Sequence, residues 1–509
     1  MKTSIVNKLL TLSLGCLLSL NVTLCFADYN HTESVKPSPK IEQEKLSDED
    51  FLDKLQKVHF NYMWDGAEPV SGLAYERIYE DGNYGSEDPS IITTGGSGFG
   101  IAGIIVAMDR GFITRAQGVA RLQKIVTFLK RAQRFHGVWP HWLYPSGKAT
   151  PFSQKDDGGD LVESAFLMEG LLCARQYLDA NVKSEKQVID GINELWHEME
   201  FDWYRKDGKD VLYWHWSPKY GWEMNFPLEG YNESLIVYIL AASSPTHPCP
   251  ASCYHKGWAG NGKIRTNTTF KGYPLQIKHN GAETTGGPLF WAHYSWFGLC
   301  PIGLKDQYAD YGEAMKAHVL SNYAYCVENP KGYPNYSENC WGLTAGFSVD
   351  GYSAHAPNND LGVITITAAL SSFPYAPKQA MAAARYWYQH KSLLWGKYGF
   401  YDGYSDSAKW YPKRYLAIDQ FSRPRRFGKS LTLSTLKAIF QGKKDLFKGL
   451  YIENQPYDWK PYPVIHIDMG SVSADTPESL KETLLGMITD FADNFKITLN
   501  KRQLSDAFI

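Results

Sequence analysis

The sequence lacks a strong excess of either charge, because 52 Lys and Arg stand against 54 Asp and Glu in 509 residues, a formal net charge of −2. Without a basic excess, nucleic acid is not the expected partner. Apolar runs of about 18 residues are missing after residue 27, so no membrane span is expected. Cysteine is scarce, with eight in the chain. None belongs to a paired Cys or His motif typical of a metal site, so neither a metal nor another cofactor is expected.

The first 27 residues have the pattern of a secretory signal. Lys2 and Lys8 precede an apolar stretch at residues 9–20, and Ala27 is a small residue at the expected cleavage site. Short segments before Cys16 and Cys25 only partly match a lipobox, so a lipid anchor is an open alternative. The polar residues 28–45 predict a flexible linker. The sequence thus predicts an exported protein, either periplasmic or outer-membrane-associated and extracellular.

Aromatic side chains are abundant, with 16 Trp and 33 Tyr. Flat rings suit sugar binding, but they also suit a large core. Mostly apolar segments follow acidic or small-residue loops, and they begin near residues 98, 160, 232, 288 and 360. Amphipathic segments lie between them, at residues 114–134, 184–200, 308–326 and 377–390. Apolar helices are buried and amphipathic helices face water on one side, so the alternation predicts an all-α toroid with an inner and an outer ring.

Residues 155–170, KDDGGDLVESAFLMEG, carry acidic side chains directly before an inner helix. These are Asp156, Asp157, Asp160 and Glu163. Crowded carboxylates raise one another's pKa, which makes an acid/base pair possible. The structural alternative is a capping box, with Asp160 as N-cap and Glu163 folded back onto it.

Loops before other inner helices are expected to meet at the same mouth of the ring. Glu233 precedes one such helix, although Asn232 there also reads as an N-cap. A helix N-terminus lowers a carboxylate pKa, which favours Asp160 as a base or a sugar-hydroxyl acceptor. A general acid needs crowding or desolvation, which leaves Glu163 or Glu233. The predicted substrate-binding residues are Trp139, His141, Trp142, Asp157, Trp214, Trp216, Tyr231 and Asn232.

Six motifs resemble the bacterial glucoamylase-like family of glycoside hydrolases, which contains the β-1,2-glucanases. They are TTGGSGFG (93–100), VWPHW (138–142), DGGDLVES (157–164), YNESLIV (231–237), ASSPTH (242–247) and YLAIDQ (415–420). The resemblance covers residues 46–420. It implies an (α/α)6 toroid, export, and hydrolysis of a β-glucan with inversion. It also implies a catalytic set of Asp156, Asp160, Glu163 and Glu233, with a glutamate as acid and an aspartate as base or sugar binder.

Residues 421–509 instead resemble the start of the predicted AAA-ATPase-like family, an α/β P-loop-like fragment. The matching stretches are FSRPRRFGKSL (421–431) and YPVIHID (462–468), and of the 16 Trp only Trp459 lies beyond Gln420. Gly428, Lys429 and Ser430 match the end of a P-loop, but Arg423 occupies the position of its first glycine, so the nucleotide site is weak. The last inner helix of the toroid is missing or substituted, and residues 429–440 are a candidate to fill that gap.

The leading hypothesis is an exported, monomeric glycoside hydrolase whose partner is an oligo- or polysaccharide, most specifically β-1,2-glucan or sophoro-oligosaccharides. One alternative is a carbohydrate-binding protein whose chimeric end has impaired turnover. Another is a P-loop nucleotide binder that acts through residues 421–509. Neither the glucan linkage nor endo or exo action follows from the sequence.

Overall fold

The computed structural model describes residues 46–417, together with residues 438, 441–447, 458–461, 482, 485–486 and 489. By its internal contacts the chain divides into two compact units, Met1–Arg425 and Arg426–Ile509. The expected signal at residues 1–27 and the P-loop residues Gly428, Lys429 and Ser430 lie outside the described residues. The same holds for the α/β fragment as a whole and for the helix expected at residues 429–440, apart from isolated positions.

The first unit is built from helices in two alternating sets. The α-helices of residues 46–417 are α1 (Asp48–Trp64), α2 (Thr94–Asp109), α3 (Arg115–Arg131), α4 (Leu161–Tyr177), α5 (Lys183–His197), α6 (Leu235–Ser243), α7 (Tyr311–Glu328), α8 (Ile366–Ser371) and α9 (Pro377–His390). Helices α2, α4, α6 and α8 are almost wholly buried, whereas α3, α5 and α9 bury one face only. This is the inner and outer ring of an (α/α)6 toroid.

The described residues also contain shorter helical turns. They are the π-helix Cys253–Trp258 and the 3-10 helices Trp203–Arg205, Gly260–Gly262, Leu289–Ala292, Tyr294–Trp296, Ser392–Leu394 and, in the second unit, Lys444–Phe447. The inner helix expected near residue 288 is therefore a pair of 3-10 turns. The inner helix expected near residue 360 begins only at Ile366, and the Asp360 carboxylate upstream of it accepts hydrogen bonds from Tyr325 and Tyr336.

The strands are short, and they tie the loops together in small sheets. They are β1 (Arg77–Tyr79), β2 (Ile92–Thr93), β3 (Trp142–Leu143), β4 (Ala149–Thr150), β5 (Gly159–Asp160), β6 (His215–Trp216), β7 (Thr269–Phe270), β8 (Tyr273–Pro274), β9 (Ala345–Ser348), β10 (Gly351–Ala354), β11 (Ile364–Thr365), β12 (Trp395–Gly396), β13 (Gly399–Phe400), β14 (Gly403–Tyr404) and β15 (Arg414–Leu416). Antiparallel pairing of β5 with β6 sets Asp160 opposite His215. Pairing of β2 with β3 sets Thr93 opposite Trp142, next to the start of α2.

Glycines let α2 and α4 approach closely. A Cβ at Gly98 would overlap the carbonyl of Phe166, and one at Gly170 would overlap the carbonyl of Gly98. A Cβ at Gly95 would overlap the carboxylate of Glu163. The glycine-rich start of α2 is therefore what allows a glutamate of α4 to lie against the backbone of α2.

Strand β15 joins the end of the first unit to its beginning. Arg77 pairs with Leu416, and Ala417 N donates to Glu76 O at 3.0 Å. Tyr62, Tyr398 and Tyr415 form a buried cluster beneath this sheet. Within the described residues, no helix is long and apolar enough to cross a membrane.

Candidate active site

Asp160 is the fully buried N-cap of α4. Its Oδ1 accepts the backbone N–H groups of Val162 and Glu163, each at 3.0 Å, and the indole N–H of Trp214 at 2.9 Å. The capping alternative is thus right for Asp160. It is wrong for Glu163, whose carboxylate turns away from the cap to α2. With Oδ1 already holding three donors, Asp160 is a rigid anchor for the loops around it.

Two histidines hold the other oxygen of Asp160. His141 Nδ1 donates to Oδ2 at 2.8 Å, and His215 Nε2 lies 3.4 Å from it. Burial opposes a charge on either ring. Nevertheless, Glu163 and Asp160 raise the pKa of His141 to about 10, and the aspartates raise the pKa of His215 to about 9. In turn these histidines outweigh the effect of burial and hold the pKa of Asp160 well below its usual value.

Asp156 is nearly buried beside the same histidines. Its Oδ2 accepts from His215 Nε2 at 3.1 Å and lies 4.0 Å from His141 Nδ1. Its Oδ1 is also buried, and among the described residues nothing hydrogen-bonds to it. A buried carboxylate oxygen without a donor is costly. Asp156 therefore presents an acceptor that a substrate hydroxyl or a water molecule would satisfy.

Glu163 projects from the first turn of α4 toward α2. Its Oε2 accepts the backbone N–H of Gly95 at 2.9 Å. Burial raises the pKa of Glu163 to about 7; the charge on His141 opposes this rise, and Asp160 and Glu76 add to it. Glu163 therefore titrates near neutral pH, as acid/base groups do.

Glu233 is the second carboxyl group of this kind. It lies just before α6, and its carboxyl is only partly exposed. Burial raises the pKa of Glu233 to about 7, and the charge of Asp160 contributes to the rise. Two glutamates from different inner helices are thus both influenced by Asp160, and both can hold a proton at neutral pH.

The aromatic residues predicted to bind substrate divide into two groups. Trp214, Trp142 and Trp216 are partly exposed. Trp214 donates to Asp160 and stacks on His215, whereas Trp216 contacts Phe135 and His136, away from the carboxylates.

Two other residues predicted to contact the sugar are fully buried, so the prediction that they bind substrate is wrong for both. Trp139 is fully buried, and its indole donates to the Leu129 carbonyl at 3.4 Å. Tyr231 is also fully buried, and its hydroxyl donates to the Trp291 carbonyl at 2.6 Å.

Asn232 and Asp157 are further polar residues of the predicted binding set. The Asn232 oxygen accepts from the backbone N–H and hydroxyl of Ser234, so this side chain builds the turn that presents Glu233. Asp157 is partly buried, and nothing in the described structure hydrogen-bonds to its Oδ1.

One group here has the ligand types of a cation site. His141 Nδ1 and one oxygen each of Asp156 and Asp160 lie within 4.8 Å of one another. In this structure His141 Nδ1 makes a hydrogen bond of 2.8 Å to Asp160 Oδ2.

Comparison with known proteins decides the family. Residues 225–422 match the family model described as "Putative glucoamylase". An endo-β-1,2-glucanase from Chitinophaga pinensis, solved with sophorotriose and glucose, is 55% identical; the match covers 74% of this chain and 90% of that one, with a TM-score of 0.72. A putative glucoamylase from Bacteroides uniformis is 48% identical over 78% of this chain and 95% of the other, with a TM-score of 0.73. The chain belongs to the glucoamylase-like family of glycoside hydrolases.

Another relative matches this glucoamylase-like chain over a smaller share of the relative's length. The exo β-1,2-glucooligosaccharide sophorohydrolase of Parabacteroides distasonis is 42% identical over 399 residues, 74% of this chain and 54% of that protein. The chain thus spans about half the length of this relative. Residues 413–508 match the family described as "Predicted AAA-ATPase". The two family matches overlap at residues 413–422, around strand β15.

The sequence interpretation of this glucoamylase-like site missed three residues. In the sequence, His215 is only the centre of a WHW triplet. Its pairing with Asp156 and Asp160 follows from the β5–β6 register, which the sequence does not give. Gly95 lies in a glycine-rich motif whose role is close helix packing. Phe152 is a loop residue whose ring stacks on His141, 4.1 Å between ring centroids. No sequence period marks such a residue.

Proposed function

We propose that this protein is an exported glycoside hydrolase that cleaves β-1,2-glucan or sophoro-oligosaccharides with inversion. The observation that carries the proposal is the pair Glu163 and Glu233, two desolvated glutamates with pKa values of about 7, around the ionised Asp160. Such a set supplies a proton donor and charged acceptors in one pocket. The β-1,2 linkage is that of the family members from Chitinophaga pinensis and Parabacteroides distasonis.

Within this proposal, Glu233 is the general acid. Residue Glu233 is partly exposed, whereas Glu163 is buried and its Oε2 already accepts the backbone N–H of Gly95. Asp156 is the candidate base, since its Oδ1 is the acceptor left open toward a water molecule or a hydroxyl. Glu163 then binds and orients the sugar at the cleaved bond, and Asp160 holds His141 and His215 in place. An inverting pair needs about 6.5–9.5 Å between acid and base to admit water.

The test is hydrolysis of linear β-1,2-glucan by the full chain, followed by reducing-sugar release and by proton NMR of the first product. We expect an α-anomer at the new reducing end, because inversion of a β-bond gives that product. Glu233→Gln and Asp156→Asn are each expected to lower kcat by at least about a hundredfold, the scale of acid/base catalysis. A β-anomer, or full activity in both variants, would contradict the assignment.

The domain organisation is part of the proposal. Residues 46–420 form the hydrolase domain, and residues 421–509 are an AAA-ATPase-like fragment in place of the end of the toroid. Residues 1–27 direct export and residues 28–45 are a linker. Cell fractionation with an antibody against the hydrolase domain tests export, and recovery of the chain only in the cytoplasm would refute it.

A further inference from the structure

Phe152 is a large aromatic residue on the loop between β4 and β5, and half of its surface is exposed. The loop is held in place, since Phe152 N donates to Asp156 O at 3.0 Å and Asp156 N donates to Ser153 O at 3.1 Å. These bonds join the backbone of Phe152 to the backbone of the candidate base.

The ring of Phe152 also lies directly on the site. It stacks on His141 with centroids 4.1 Å apart and planes at 23°, and it meets the edge of Trp142 at 4.9 Å. His141 in turn donates to Asp160 at 2.8 Å. One face of the phenyl ring is therefore used to pack on the site, and the remaining exposed surface points away from His141.

Single exposed hydrophobic residues are common on protein surfaces. What distinguishes Phe152 is that its ring stacks on His141 and meets Trp142 at the candidate site. Pyranose rings present a face of C–H groups that packs on aromatic rings. His141 contacts Asp160 through Nδ1 at its edge and Phe152 through its face, so a sugar stacked on the outer face of Phe152 would lie farther from Asp160 than His141 does.

We propose that Phe152 is a substrate-contacting platform that binds the glucosyl unit next to the one whose bond is cleaved. The inference rests on the proposed function and deepens it. It predicts that Phe152 sets the affinity for longer chains.

The experiment is calorimetric titration of β-1,2-gluco-oligosaccharides of two to six units into the full chain carrying Glu233→Gln, which removes turnover. Adding Phe152→Ala is expected to weaken binding of the longer oligosaccharides by about tenfold, the scale of a lost aromatic contact. Phe152→Trp should restore it. Leu393→Ala is the matched control, because Leu393 is equally half-exposed and lies on the outer 3-10 helix Ser392–Leu394.

Unchanged affinity in Phe152→Ala would overturn the platform. So would an equal loss for every chain length together with a lower thermal midpoint, which would make Phe152 a structural cover for His141. Oligosaccharides that fail to bind the parent variant would also overturn it. Reducing-sugar release by the unmutated chain, measured in parallel, reports separately on the proposed hydrolysis.

Discussion

At the scale of single residues, the carboxylates differ in how many hydrogen-bond donors their oxygens already hold. Asp160 Oδ1 already holds three donors and its Oδ2 faces two charged histidines, so it cannot accept a proton from water near neutral pH. Asp156 keeps one open oxygen, and Glu163 and Glu233 keep their protons until pH about 7. Four acidic side chains of similar chemistry thus differ: Asp160 is ionised, Asp156 keeps an open acceptor oxygen, and the two glutamates hold a proton.

Glu233→Gln is expected to raise thermal stability at pH 8 while abolishing turnover. The folded-state pKa of Glu233 is about 7, above the ordinary value of 4.5, so its contribution to stability is present at low pH and is lost as the pH rises through 7. Glutamine removes the desolvated charge. Thermal melts at pH 5 and pH 8 should show a gain over the unmutated chain that is larger at pH 8; a loss at pH 8 would contradict a desolvated Glu233.

The same residue governs the pH profile. If Glu233 is the acid, kcat/KM of the unmutated chain falls about tenfold per pH unit above a pKa near 7, because the proton donor is lost. The measurement is the initial rate on β-1,2-glucan between pH 5 and 9. A profile that is flat to pH 9 would remove Glu233 from that role.

At the scale of helices, the close packing of α2 on α4 positions Glu163. Gly95→Ala would place a methyl group against the Glu163 carboxylate and remove the geometry of the 2.9 Å bond from Gly95 N. We expect a loss of activity of about tenfold or more, together with a loss of about 1–3 kcal/mol in the free energy of unfolding, as for overpacked cores.

Gly103→Ala is the control on the same helix. A Cβ there would meet only Phe60 Cδ2 at 3.6 Å, an ordinary contact. Replacing a helical glycine at such a site stabilises by up to about 1 kcal/mol. Urea denaturation and glucan hydrolysis of both variants test the point, and equal behaviour of the two would argue against a special role of Gly95.

At the scale of the whole hydrolase domain, a buried ion pair secures the strand that closes the ring. Arg414 on β15 donates to Asp402 Oδ2 through Nε at 2.9 Å and Nη2 at 2.6 Å, and both side chains are almost fully buried. Arg414 also lies over the ring of Phe347 at 3.8 Å. Strand β15 pairs with β1 and lies in residues 413–422, the stretch that both family matches share.

Arg414→Met is expected to lower the free energy of unfolding by about 3–5 kcal/mol, because it leaves Asp402 buried without its partner. Adding Asp402→Asn should recover part of that loss. Arg385→Met, which breaks the exposed pair with Asp48, should cost less than about 1 kcal/mol. The measurement is equilibrium denaturation of the three variants, and similar losses at Arg414 and Arg385 would contradict a special role of β15.

Much of this architecture can be predicted from the sequence. Buried and amphipathic helices alternate along the chain because inner helices meet other helices on all sides, and this period predicted the two rings. Helix boundaries were less certain: α2 begins at Thr94 rather than near residue 98, and α8 begins at Ile366, directly after strand β11 pairs with β14. Local pattern does not report such long-range hydrogen bonds.

The sequence by itself determined the fold class and pointed to the acidic loops of the candidate site, since periodicity and the DGGDLVE and NES motifs are local properties. Only the tertiary structure decided what each residue does there. Trp139 and Trp214 look alike in sequence, yet one is core and the other donates to Asp160. His215, Gly95 and Phe152 reach the carboxylates through strand register, helix approach and a loop fold. Burial and partner distance set each pKa, and both depend on residues far away in the chain.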